Sequence, residues 1–198
     1  MAAKNFRNIF EPFTVKSMTL KNRIVMTPIG TNFAERTGEV SDKLIAYYKQ
    51  HAKGGIGLIT VEGASVASPQ GSLSTNQLRI DHDNYIHGLY KLCEAIHEYG
   101  SKASILLNHG GADSDGAETN IQPVSASDIP SKAGGDIPRP LAIEEIHGIV
   151  QKFADAAKRA VTAGFDAVEI QAGHGYLLNQ FLSPLTNDRT DEFGGSKE

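Results

Sequence analysis

The sequence predicts an α/β fold built on a parallel sheet. Three observations predict it: four short apolar runs recur along the chain, amphipathic helical patterns separate them, and hydrophobicity within each run is continuous rather than alternating. Continuous runs are what strands covered on both faces require. Strand followed by helix, repeated, gives parallel strands joined by right-handed crossovers. Composition agrees, with 40% hydrophobic and 21% charged residues in a chain of 198, ordinary values for a globular domain.

The elements follow in order. Phe13–Leu20 alternates weakly and reads as a small hairpin within 11–22. The first apolar run is Arg23–Pro28 (RIVMTP). Ser41 then suits the N-cap of a helix that ends near Lys53, where Gly54 and Gly55 stop it. Gly57–Val61 (GLITV) is the second run. Asp81 or Asp83 would cap the next helix, whose Ile86, Leu89, Tyr90, Cys93 and Ile96 fall at helical spacing before Gly100. Ala103–Asn108 (ASILLN) is the third run. The third helix carries Ile146, Ile149, Val150, Phe153, Ala157 and Val161 on one stripe and closes at Gly164. Asp166–Gln171 (DAVEIQ) is the fourth run. Two architectures accommodate four such units, a doubly wound open sheet and half of a (βα)8 barrel. The open sheet's dinucleotide turn needs G-x-G-x-x-G after a strand, and Pro28-Ile29-Gly30-Thr31-Asn32 is no such turn. Periodicity alone leaves both standing.

Charge and cysteine content exclude several functions. Nineteen basic against 23 acidic residues give a net charge of −4 with no Lys/Arg run, so neither nucleic acid nor an anionic membrane is expected as a partner. A single cysteine, Cys93, allows no internal disulfide and no cysteine-rich metal site; it sits on a helix stripe and reads as core. Met1–Phe10 shows no secretion signal, and the apolar runs are far shorter than a membrane span. The expected location is the cytoplasm.

Motifs add what periodicity lacks. LKNRIVMTPIGTN spans Leu20 to Asn32, VEGASV spans 61–66, NHGGA spans 108–112, and EIQAGHGYLLNQFLSPLTNDRTDEFGGS runs from Glu169 to Ser196. In this order they resemble the NADH:flavin oxidoreductase family, which includes old yellow enzymes, 2,4-dienoyl-CoA reductases and clostridial enoate reductases. The resemblance runs from about Phe10 to the last residue. It implies a (βα)8 TIM barrel with FMN at the C-terminal ends of the strands, in which 23–198 would supply strands 1 to 4 and three crossover helices. Such barrels typically need about 250 residues, so the chain reads as the N-terminal half of one FMN-binding domain. Ser196 looks like an N-cap with no helix behind it.

The resemblance also implies roles. The reaction is hydride transfer from NAD(P)H through FMN to an activated alkene of enoate or enoyl type. Tyr176 matches the tyrosine that protonates the alkene; an unperturbed phenol has a pKa of about 10 and holds its proton at neutral pH. His174 and Gln171 match the pair presented to the acceptor's electron-withdrawing oxygen. At position 171 glutamine stands where the family has His or Asn; it can donate one hydrogen bond but cannot carry positive charge. Thr27, Pro28, Ile29 and Gly30 match the segment beneath the flavin, with Gly30 in place of the family's Thr or Cys. Gly63 matches a small residue whose backbone faces the ring. His109 matches the histidine of the family's H-A-G motif, with Gly110 for alanine and Ala112 for arginine. Leu106 stands where the family has a glutamine that bonds the flavin's pyrimidine edge; leucine cannot make that bond, which weakens FMN binding unless other groups compensate. An iron–sulfur cluster and FAD belong only to longer family members, whose cysteine cluster would lie beyond Glu198.

Other readings of these residues are plainer. Arg189, Asp191 and Glu192 are expected to brace their loop with salt bridges, Gly194 and Gly195 allowing the turn. His109, His174 and Asp191 are zinc-binding residue types without metal-site spacing, and no metal is expected. His51, His82, His87, His97 and His147 read as solvated or packed. A Schiff-base aldolase finds no lysine at a strand's C-terminal end, Lys102 starting its strand. A second function class is a non-catalytic half barrel, whose unpaired edges would require a second copy or a partner, including a missing C-terminal half, to complete the sheet.

Overall fold

The computed structural model describes residues 6–115, 120–131 and 135–195; the expected N-cap Ser196 lies outside them. Two short strands, β1 (Phe13–Val15) and β2 (Met18–Leu20), pair antiparallel ahead of the main sheet. The main sheet has four parallel strands, β3 (Val25–Met26), β4 (Leu58–Ser65), β5 (Lys102–Asn108) and β8 (Ala167–Ile170), adjacent in that order. Helices α1 (Asp42–Lys53), α2 (Ile86–His97) and α3 (Ile143–Thr162) make the crossovers. Strand order follows chain order, with no reversal and so no switch point of the doubly wound kind. Helices α1 and α2 touch each other, as do α2 and α3, so all three cover one face, as right-handed crossovers require.

Local sequence explains most boundaries. Ser41 caps α1, its hydroxyl accepting from the Leu44 N–H at 3.1 Å. The cap ahead of α2 is neither Asp81 nor Asp83. A short 3-10 turn over Asp83–Tyr85 precedes the helix, and His82 Nδ1 accepts from Asn84 N–H at 3.2 Å. Asp81 is instead held by Arg79, and Asp83 by Arg159. Gly164 takes φ +91° after α3, a conformation that favours glycine.

The core lies between β4 and β5 and the helices, with Leu44, Tyr48, Ile59, Leu89, Leu92, Ile96, Ile105 and Leu107 fully buried. The helical stripes are narrower than the spacing suggests: Tyr90, Val150 and Val161 face solvent. Continuous burial holds for β4 and β5. The outer strands differ, with Val25 of β3 and Val168 and Ile170 of β8 exposed, because each borders one neighbour only. Three elements had no sequence signal. Strands β6 (Val124–Ser125) and β7 (Arg139–Pro140) pair in parallel between β5 and α3, and helix α4 (Leu177–Leu182) follows Tyr176. Arg189 ties the last loop to this region, donating to the Ala126 and Leu141 carbonyls at 2.9 and 2.7 Å while pairing with Asp191. Glu192 takes no part in that pair; it faces His147 at 3.9 Å on the surface. No helix among the described residues is long and apolar enough to cross a membrane.

Candidate active site at the strand ends

A cavity of about 640 Å³ opens at the C-terminal ends of the four parallel strands. Every strand contributes: Thr27, Pro28, Gly30 and Asn32 follow β3, Glu62 and Gly63 belong to β4, Leu106 and Asn108 to β5, and Glu169 and Gln171 to β8 and its end. His174 and Tyr176 complete the wall from the next loop, and Gln77 enters from the loop after β4. Ligand sites of parallel βα structures lie at this end.

Pleat direction explains which residues reach the cavity. On β5, Leu106 and Asn108 face it, while Leu107 points into the core beneath the helices. His109 therefore turns away. Its ring is buried behind Gly71, where an added Cβ would sit 2.7 Å from it, and its Nδ1 accepts from the Gly111 N–H at 3.1 Å. Burial, and secondarily the charge of Lys152, lower its pKa to about 4. Ile29 is not on the wall and is exposed to solvent. The other seven residues singled out from the sequence, Thr27, Pro28, Gly30, Gly63, Gln171, His174 and Tyr176, share the one cavity.

A β-bulge shapes the floor. Val61 pairs with Ile105 and Ala64 with Leu107, so Glu62 and Gly63 together face a single residue of β5. Bulges re-aim side chains near functional sites, and this one brings both residues to the cavity. Glu62 is buried and accepts from Thr31 Oγ1 at 2.5 Å, from Thr31 N–H at 3.3 Å and from the Tyr48 hydroxyl at 3.3 Å. Burial raises its pKa, and those three donors work against the rise. The same Tyr48 oxygen accepts the Glu62 N–H at 2.8 Å. Glu62 thereby ties the loop after β3 to β4 from below.

The 171–176 loop is held from both sides. Gln180, buried on α4, donates to the Gly175 carbonyl at 2.6 Å and accepts from the Ala112 N–H at 3.1 Å and the Ser125 hydroxyl at 2.9 Å. Gly111 (φ +65°) has no room for a side chain, since a Cβ there would lie 2.2 Å from Gln180 Oε1. Gln171 Nε2 lies 3.3 Å from His174 Nδ1. An amide nitrogen only donates, so in this contact Nδ1 is the acceptor, which favours the tautomer with its proton on Nε2. Tyr176 meets the His174 ring edge to face, centroids 6.1 Å apart. Partial burial, then the charge of Asp113, raise the Tyr176 pKa, so the phenol keeps its proton. At the opposite end of the sheet, Lys102 pairs with Asp166 at 2.7 Å, far from this chemistry. No group of three or more His, Cys, Asp or Glu placed to hold a metal occurs among the described residues.

Four wall or support residues escaped sequence reasoning: Glu62, Gln77, Asn108 and Gln180. Asn108 alone carried a signal, a polar residue closing an otherwise apolar strand.

Comparison with known proteins agrees with this geometry. The sequence model of the NADH:flavin oxidoreductase / NADH oxidase family matches residues 8–198. An NADH oxidase of Thermoanaerobacter brockii is 45% identical over 195 residues, covering 98% of this chain and 30% of that protein. An NADPH dehydrogenase of Clostridium acetobutylicum is 44% identical over 190 residues, covering 96% of this chain and 55% of that protein. The structure of the old yellow enzyme homologue from Zymomonas mobilis superposes with a TM-score of 0.87 at 30% identity, over 96% of this chain and 55% of that one. The chain thus spans about half the length of such relatives, or less, and its four βα units are about half of a (βα)8 barrel.

The wall suits part of FMN. Pro28 and Leu106 offer apolar surface and the bare backbones of Gly30 and Gly63 leave room for a ring, and the buried Asn108 carboxamide has no partner among the described residues. Among the described residues no Lys or Arg lines the cavity to meet a phosphate. In (βα)8 barrels the phosphate usually binds the loops after strands 7 and 8, which are not among these four units.

Proposed function

We propose that this chain, which belongs to the NADH:flavin oxidoreductase / NADH oxidase family, forms the acceptor-facing half of an FMN site that reduces activated alkenes of the enoate or enoyl type with NAD(P)H. The observation that carries this reading is the convergence of Gln171, His174 and Tyr176 on the cavity floored by Thr27, Gly30 and Gly63. FMN, when bound, supplies the hydride chemistry. The residues of this chain do the rest. His174 Nε2–H points a donor at the acceptor's carbonyl oxygen, where negative charge develops. Gln171 fixes that tautomer through Nδ1. Tyr176 delivers the proton to the alkene carbon opposite the hydride, and its raised pKa keeps that proton available at neutral pH. Gln180 holds the loop that carries these groups, and Glu62 holds the loop after β3 that follows Gly30.

A second reading, favoured by the exposed apolar residues on both outer strands, is a half barrel that must pair with a second copy or a partner before it binds FMN. NAD(P)H oxidation with an enoate, measured on the purified chain and on Tyr176→Phe, separates the two. The first reading expects turnover that falls ~10²–10⁴-fold in the variant. No turnover and no bound flavin in the chain alone, with both appearing once a partner is added, favours the second. Turnover unchanged in Tyr176→Phe contradicts the proton-donor role.

A further inference from the structure

The polar groups around the cavity are mostly engaged already. Glu62 takes donors from Thr31 and Tyr48. Gln77 donates to the Gly63 carbonyl at 2.8 Å and accepts from the Leu73 N–H at 2.7 Å. Gln171 spans His174 and the Gly173 N–H. Asn108 differs. It is 1% exposed, its side chain lines the cavity, and neither Oδ1 nor Nδ2 has a hydrogen-bond partner among the described residues.

Local structure does not account for it. Asparagine side chains commonly bond backbone N–H groups two or three residues on. Here Gly110 N–H goes to the Gly71 carbonyl and Gly111 N–H to His109 Nδ1. The backbone of Asn108 is itself used, its carbonyl accepting from Val66 N–H. A buried amide with both groups unpaired costs stability, whereas Leu106, two residues back, presents an apolar side chain on the same face. Asn108 also stands at the floor, its Cβ 3.4 Å from where a side chain on Gly63 would begin.

We infer that Asn108 is a ligand-binding residue, its carboxamide pairing with a ligand group that presents a carbonyl and an N–H side by side. A ligand offering only acceptors would leave Oδ1 unpaired; an amide or imide edge satisfies both atoms. Within the flavin reading above, on which this inference rests, two sources carry that edge: the pyrimidine ring of the flavin and the carboxamide of NAD(P)H. In the first case Asn108 supplies the bonds that Leu106 cannot.

The test uses the full chain with Asn108→Leu, similar in volume and apolar, and Asn108→Asp, which keeps the shape but cannot donate. Three quantities are read: the thermal midpoint without ligand, FMN affinity by fluorescence quenching, and the affinity of a tetrahydronicotinamide dinucleotide, which cannot give up hydride, for FMN-saturated protein. The expected result is a ligand-free midpoint raised by roughly 2–8 °C in Asn108→Leu, with about tenfold weaker binding of one ligand in both variants. Weaker FMN identifies the pyrimidine edge; weaker dinucleotide at unchanged FMN identifies the carboxamide. Unchanged affinity for both ligands, or a lowered ligand-free midpoint in Asn108→Leu, overturns the inference while leaving the flavin reading intact. Failure of the wild-type chain to bind FMN at all overturns both.

Discussion

His109 illustrates how a residue can sit in a family motif and still serve the fold. Its neighbour Asn108 faces the cavity, so pleat alternation sends His109 the other way, into burial behind Gly71. The consequence is measurable. The folded pKa is lowered from 6.5 to about 4, so the unfolded chain takes up this proton first as pH falls. Stability is therefore full above about pH 6.5, declines from there to about pH 4, and this contribution is then lost. Urea midpoints at about pH 7 and about pH 5 should differ less in His109→Gln than in wild type. Comparing the two proteins cancels Glu62, whose raised pKa works in the opposite direction. Identical slopes in both proteins would contradict the assignment. At this scale the sequence was legible for position: Tyr176 and Gly63, singled out by motif, both line the cavity. It was silent on Glu62 and Gln180, whose importance comes from partners 31 and 68 positions away in the chain.

Elements were legible where periodicity is long. The crossover helices and the four parallel strands follow from apolar spacing and glycine stops. The sheet order then settles the choice that spacing left open. Short elements were not legible: β6 and β7 have two residues each, and α4 is a six-residue helix inside a loop motif. These pieces owe their form to tertiary clamps. Gly111→Ala tests the clamp on the 171–176 loop, because the added Cβ meets Gln180 at 2.2 Å and φ is +65°. The expected loss is roughly 2–5 kcal/mol by urea unfolding. A loss under ~0.5 kcal/mol would mean that Gln180 moves freely and does not hold the loop. For comparison, Ser41→Ala removes the α1 cap and should cost about 0.5–2 kcal/mol.

At the scale of the molecule, two features go together: outer strands with exposed Val25 and Ile170, and a cavity built from one side of a barrel. Unpaired parallel edges favour association. Light scattering on the purified chain should show an average mass that rises with concentration, and Ile170→Lys should suppress the rise; a monomer at every concentration would contradict this. The same geometry makes a statement about the ligand. Among the described residues the wall carries apolar groups and bare glycine backbone and no Lys or Arg, so the ring, not the phosphate, should supply the affinity. The direct measurement is fluorescence quenching of FMN and of riboflavin by the wild-type chain and by Gly63→Phe, which fills the floor. Saturable quenching of both flavins with similar midpoints, lost in Gly63→Phe at unchanged circular dichroism, is the predicted result; no saturable quenching by wild type, or quenching that survives Gly63→Phe, would contradict a flavin ring seated at the strand ends.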